Sequence, residues 1–123
     1  MKLHLATAGN RNHFTGYGDG YLSINNRRYT CSVVVTPEAV HDTWNVTGFD
    51  DLNAAHLQFL LSLKPEIVIL GTGTTQRFLQ PALQRDFFAA QIGIEIMATP
   101  AACRTYNILM AEGRAVIAAV LLI

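Results

Sequence analysis

Between residue 51 and residue 122 the spacing of apolar side chains changes character five times, and each change marks an element. Leu52, Ala55, Phe59, Leu60 and Leu63 recur at three- and four-residue intervals, which predicts a helix from about Asp51 to Leu63. Asp50 or Asp51 is placed to cap it, and Pro65 bars its continuation. Ile67 to Leu70 is an unbroken apolar run, the pattern of a strand covered on both faces of a parallel sheet. Leu79, Leu83 and Phe87 return to the helical period, with Pro81 at a permitted helix start. Gly93 to Met97 predicts another strand. Thr99 then reads as an N-cap with Pro100 at the first helical position, and Gly113 ends that helix. Arg114 to Leu122 forms a last apolar strand. The order strand, helix, strand, helix, strand with short connections implies right-handed parallel crossovers, a βαβαβ unit.

The first half is less periodic. Residues 1–19, punctuated by Gly9, Gly16, Gly18 and Gly20, read as irregular. Tyr21 to Ile24 and Arg27 to Val35 read as the two strands of a hairpin, joined at Asn25-Asn26, residues that tolerate positive φ. The β-branched stretch Ser32–Val35 is expected to be buried, and Thr36-Pro37 ends it. Val40 to Val46, with Trp44, reads as one more short strand. No linker, repeat or low-complexity segment interrupts the chain, so residues 1–123 are expected to form a single α/β domain.

Composition narrows the function classes. Half of the residues are hydrophobic and 15% are charged, which suits a filled core. Nine basic residues balance nine acidic ones. A nucleic-acid binder normally carries a basic excess, so neither nucleic acid nor a charged membrane surface is an expected partner. The longest apolar stretch, Ala115 to Ile123, is nine residues, against roughly 20 for a membrane-spanning helix. Met1 to Leu5 lacks the apolar core of a signal peptide, and two cysteines, Cys31 and Cys103, do not make a disulfide framework. A reducing, cytoplasmic setting is the expectation.

Ligands of open parallel sheets gather beyond the carboxyl ends of the strands. Two turns leave such ends here: Gly71-Thr72-Gly73-Thr74-Thr75 and Ala98-Thr99-Pro100. If their strands are neighbours, the turns face each other and could hold a small anion with backbone amides, hydroxyls and a helix N-terminus. Arg104 lies one turn beyond Pro100 and could reach back to the same mouth. The alternative is structural: a common type of turn, and an arginine paired with a carboxylate. Nucleotide motifs fail, because Gln76 stands where a dinucleotide fingerprint needs glycine and no Gly-Lys-Ser/Thr follows. No cofactor is therefore expected. Cys103 in the first turns of a helix is a candidate nucleophile, but a small residue between Ala102 and Arg104 is more often core. Glu95, in the middle of a strand, must face solvent or meet a cation, with Arg104 and Arg114 as candidates. Asp19 reads as a turn residue rather than a calcium ligand. His4, His13, His41 and His56 show no metal-ligand spacing.

Glu66 to Gly73, Gly93 to Met97, Ala101 to Leu109 and Glu112-Gly113-Arg114, together with Gly16 to Gly20, the hairpin and Thr36-Pro37, resemble the Mth938-like domain family over nearly the whole chain. The resemblance implies a three-layer α/β fold with a mixed central sheet and an N-terminal β-hairpin packed on it. It implies no enzyme activity; bacterial members have no assigned function, and relatives include a mitochondrial respiratory complex I assembly factor and the adipogenesis-associated Mth938 domain protein. Its notable segments, Gly71–Gly73 and Ala102–Asn107, overlap those that the strand ends pick out. Three functions stay open. One is a non-catalytic binding or assembly module holding a protein partner or a small anion at Gly71, Thr72, Gly73, Thr74, Thr99 and Arg104. Another is a small transferase or hydrolase using Cys103 or Glu95 beside Arg104. The third is a purely structural domain associating through an apolar patch.

Overall fold

Val33, Val34 and Val35 are all fully buried, and their alternation between two cores explains the architecture. The computed structural model describes residues 11–123; the irregular reading of residues 1–10, the absence of a signal segment at Met1–Leu5, and His4 lie outside the described residues. The strands are β1 (Phe14–Gly18), β2 (Tyr21–Ile24), β3 (Arg27–Tyr29), β4 (Val33–Val35), β5 (Val40–His41), β6 (Ile67–Gly71), β7 (Gly93–Met97) and β8 (Val116–Val120). The helices are α1 (Ala54–Ser62), α2 (Pro81–Ala89) and α3 (Thr99–Ala111). Strands β1-β2-β3 form a small antiparallel sheet, and the other five are ordered β5-β4-β8-β6-β7. Within that sheet β7, β6 and β8 are parallel, while β4 runs antiparallel to β8. The central sheet is therefore mixed.

Both faces of this sheet are covered. Val33, Val35, Ile69, Val116, Ala118 and Val120 face a core shared with α3 and the small sheet. Their neighbours Val34, Val68, Leu70, Ile117 and Ala119 face a second core with α1 and α2. Two-residue alternation within runs that look uniformly apolar is what a doubly covered sheet produces. The steps β6 to β7 and β7 to β8 go in opposite directions across β6. Crossovers of one hand therefore put α2 and α3 on opposite faces, giving three layers.

Several boundaries differ from expectation. The segment read as irregular before residue 19 contains β1, paired with β2 through a bulge between Phe14 and Gly16. That bulge breaks the two-residue period that would have revealed it. The return strand read as Arg27–Val35 is two strands in two sheets, separated at Thr30–Ser32. Only Val40–His41 of the stretch 40–46 is strand; Trp44 and Val46 are buried from a loop in which Asn45 has φ of 62°. Asp50 and Asp51 lie in a 3-10 turn, and Asn53 caps α1 instead: its Oδ1 accepts from the His56 amide, and His56 Nδ1 accepts from the Asn53 amide, both at 3.1 Å. On α1 the buried residues are Leu57 and Leu60, while Ala55 is exposed. Asn25 and Asn26 do adopt positive φ, 52° and 65°, as a tight hairpin turn requires.

Candidate functional site

Strand β6 ends at Gly71, in register with Met97 of β7 and Val120 of β8. The turns that follow β6 and β7 thus face each other, and the hydrogen bonds between them are dense. The Thr72 amide donates to Met97 O at 2.9 Å, and the Thr99 amide to Gly73 O at 2.8 Å. Thr99 Oγ1 accepts from the Gly73 amide at 2.9 Å and donates to Leu121 O at 2.7 Å. The Leu121 amide in turn donates to Gly71 O at 3.0 Å. Thr72 Oγ1 donates to Thr75 O, 2.7 Å away, and accepts from the Arg77 amide at 3.1 Å.

Glycine is required at both ends of this knot. A Cβ on Gly71 would lie 2.9 Å from Thr99 Oγ1 and from Val120 Cγ1, and 3.1 Å from the Ala102 Cβ. Gly73 has φ of +97°, a region that side chains disfavour. Thr99 is completely buried and Thr72 nearly so. The N-cap of α3 is Ala98, one residue before the expected Thr99, whose hydroxyl ties three chain segments together rather than capping the helix. The amides and hydroxyls anticipated for an anion at Thr72, Gly73 and Thr99 are thus engaged within the protein. Thr74 is exposed.

Arg104 is exposed on α3, and its Nη1 donates to Tyr17 Oη of β1 at 3.2 Å, so it leans on the small sheet. Cys103 is 0% exposed within the core of α3, and burial pushes its thiol up to about 12, only partly offset by the adjacent Arg104 charge. A thiol that holds its proton and has no access to solvent is not a nucleophile. Glu95 is exposed on the edge strand β7. Neither suggested cation pairs with it: Arg114 Nη2 sits 2.7 Å from Glu66 Oε2, and that bond holds the Glu66 carboxyl below its ordinary range. Asp19 is exposed in the two-residue turn between β1 and β2, next to Gly20 at φ +77°. Among the described residues no three His, Cys, Asp or Glu side chains converge as a metal site.

Two features were invisible in the sequence. Phe78, 84% exposed, and Phe88, 69% exposed, project at the two ends of α2. Phe78 borders a hollow shared with Phe49, Asp50 and Arg77, where Arg77 Nη2 pairs with Asp50 at 2.9 Å and its guanidinium lies over the Phe49 ring. A second cleft, of about 460 Å³, opens at the amino ends of β6 and β8. Phenylalanines outside a clear helical stripe, and turns at the far end of a sheet, gave no signal that would have separated them from ordinary surface.

Fold and site together define a three-layer α/β domain whose strand-end turns are locked by internal hydrogen bonds. Its residues 14–121 match the family model described as a protein of unknown function (DUF498/DUF598), and the chain belongs to that family. A crystal structure of a Bordetella parapertussis protein superimposes with a TM-score of 0.87 at 42% identity, covering 94% of this chain and 99% of that one. The solution structure of a Bordetella pertussis Mth938-like domain gives a TM-score of 0.83 at 37% identity, over 98% and 92% of the two chains. The bovine NADH dehydrogenase [ubiquinone] 1 alpha subcomplex assembly factor 3 is 35% identical over 104 residues, 80% of this chain and 56% of that protein. The chain thus spans just over half the length of that relative. No helix among the described residues is long and apolar enough to cross a membrane.

Proposed function

We propose that this domain is a non-catalytic docking module that holds a protein partner during assembly of a larger complex, with a respiratory NADH dehydrogenase as the first candidate. The observation that carries this reading is the contrast between its surfaces. The one nucleophilic candidate in α3 is sealed in the core, while Phe78 and Phe88 stand in solvent. Aromatic anchors dominate protein interfaces, and two exposed phenyl rings supply candidates for that role. The relative named as an assembly factor supports the same direction. Free thiols at Cys31 and Cys103 fit a reducing, cytoplasmic compartment. A small anion at the turn would use Thr74 and Arg104, the members of the set left on the surface.

The test is genetic and physical together. Deleting the gene in the organism that encodes this chain should lower assembled, membrane-bound NADH dehydrogenase on native gels. Wild type should restore it, and the doubly substituted Phe78→Asp, Phe88→Asp chain, folded by circular dichroism, should not. An unchanged complex in the deletion strain, or full rescue by the double variant, overturns the proposal.

A further inference from the structure

At the end of the sheet opposite Gly71, strands that pair elsewhere come apart. Pro37 ends β4, and Thr36 Oγ1 accepts from the amides of Glu38 and Ala39 at 3.2 and 2.9 Å, turning the chain away. Strand β8, its neighbour, continues back to Val116. The gap is the cleft of about 460 Å³, walled by Lys64-Pro65 after α1 and Gly113-Arg114 after α3, and floored by Val116 and Ile117. That volume falls within the ~300–1,000 Å³ usual for small-molecule sites. We propose that this cleft binds a small organic polyanion, a molecule carrying two or more carboxylate or phosphate groups on a carbon skeleton.

Charge is the first ground. Arg11, Lys64 and Arg114 line the cleft against a single carboxylate, Glu38, in a chain of zero formal net charge. Glu66 pairs with Arg114 from outside the lining and Glu112 also acts on it, so the lining cations without an ion pair among the described residues are Arg11 and Lys64. Preorganisation is the second ground. Arg11 Nη1 donates to Met110 O at 2.7 Å, which orients the guanidinium, and among the described residues its other four N–H groups have no acceptor. Lys64, at φ of 53°, donates its backbone amide to Leu61 O at 3.0 Å, while its ammonium makes no hydrogen bond or ion pair among the described residues. Cations also suit helix C-termini, and Arg11 serves α3 in that way. That role does not require three cations around one hollow. The remaining wall, formed by Leu63, Pro65 and the β8 residues, is apolar and suits carbon rather than a bare ion. A planar guanidinium beside an ammonium matches carboxylate or phosphate oxygens.

Amide NMR titration of the whole chain at low ionic strength, with citrate and with pyrophosphate as separate probes, tests this site. The expected result is saturable shifts at Glu38, Ala39, Lys64, Gly113 and Arg114 with citrate and a weaker response to pyrophosphate. Lys64→Ala and Arg11→Ala should each raise the citrate Kd at least fivefold while circular dichroism stays unchanged. Phe78→Asp should leave it unaltered, which separates this site from the docking surface. Uniform non-saturating shifts, shifts centred on Gly71–Thr75, or a Kd unmoved by both cation substitutions overturns the proposal.

Discussion

Thr99 concentrates in one hydroxyl what the strand-end turns need. It joins the turn after β6 to the segment after β8 through two short bonds, to the Gly73 amide and the Leu121 carbonyl. Thr99→Val keeps the shape and removes both bonds, leaving a buried donor and a buried acceptor, each costing about 1–3 kcal/mol. A loss of about 2–4 kcal/mol in urea unfolding is expected; a loss below 0.5 kcal/mol would mean that water replaces the hydroxyl. The two cysteines should separate as cleanly. Cys31 is exposed and Cys103 buried, so a thiol reagent at pH 8 should label one site in the native protein and both in denaturant. The Cys103 thiol also sets a pH dependence. Folding raises it from 9.0 to about 12, and burial raises the Tyr106 phenol as well. Above pH 9 the unfolded chain releases a proton that the folded chain keeps. Stability is therefore whole below pH 9 and declines from there towards pH 12, which denaturation midpoints measured from pH 7 to 11 would follow.

Among elements, α1 is the one whose start rests on a reciprocal pair of side chains. Asn53 and His56 cap each other's backbone amides, so Asn53→Ala should cost about 0.5–2 kcal/mol, while Asp50→Ala at the expected cap should cost little. Equal losses from both would contradict the observed boundary. The elements that were legible in advance share a property: their signals are local. Ile67–Leu70, Gly93–Met97 and the Pro81 and Pro100 helix starts are written in contiguous residues, and Gly113 ends α3 at φ of +84°. The elements that were missed depend on partners. Strand β1 is defined by its pairing with β2 around a bulge, and the break at Thr30–Ser32 by a change of sheet, and neither is encoded in residue period. The candidate site was half legible for the same reason. Sequence spacing picked out the two turns, with their convergence conditional on neighbouring strands, but it lists donors without their acceptors. It could not foresee that Thr99 would take the Gly73 amide, or that Tyr17 would engage Arg104.

For the whole molecule, Asn107 of α3 adds a paired hydrogen bond to the apolar core that joins the small sheet to the rest. Its Oδ1 accepts from the Phe14 amide at 2.9 Å and its Nδ2 donates to Phe14 O at 2.8 Å, so a side-chain amide in α3 imitates the next strand beside β1. The T-shaped Phe14–Tyr106 contact lies alongside. Asn107→Leu should free β1–β3 from the domain: amide hydrogen exchange should accelerate in residues 14–29 and stay slow in β6 and β8. Uniform acceleration would show that the domain opens as one unit. The place of β8 in the sheet has a consequence for biosynthesis. It is translated after the other seven strands of the described residues, yet it separates β4 from β6, which cannot pair without it. Until Val116–Val120 clear the ribosome, two apolar strands wait with open edges. A nascent chain arrested before Val116 is therefore expected to recruit chaperones and to aggregate when released.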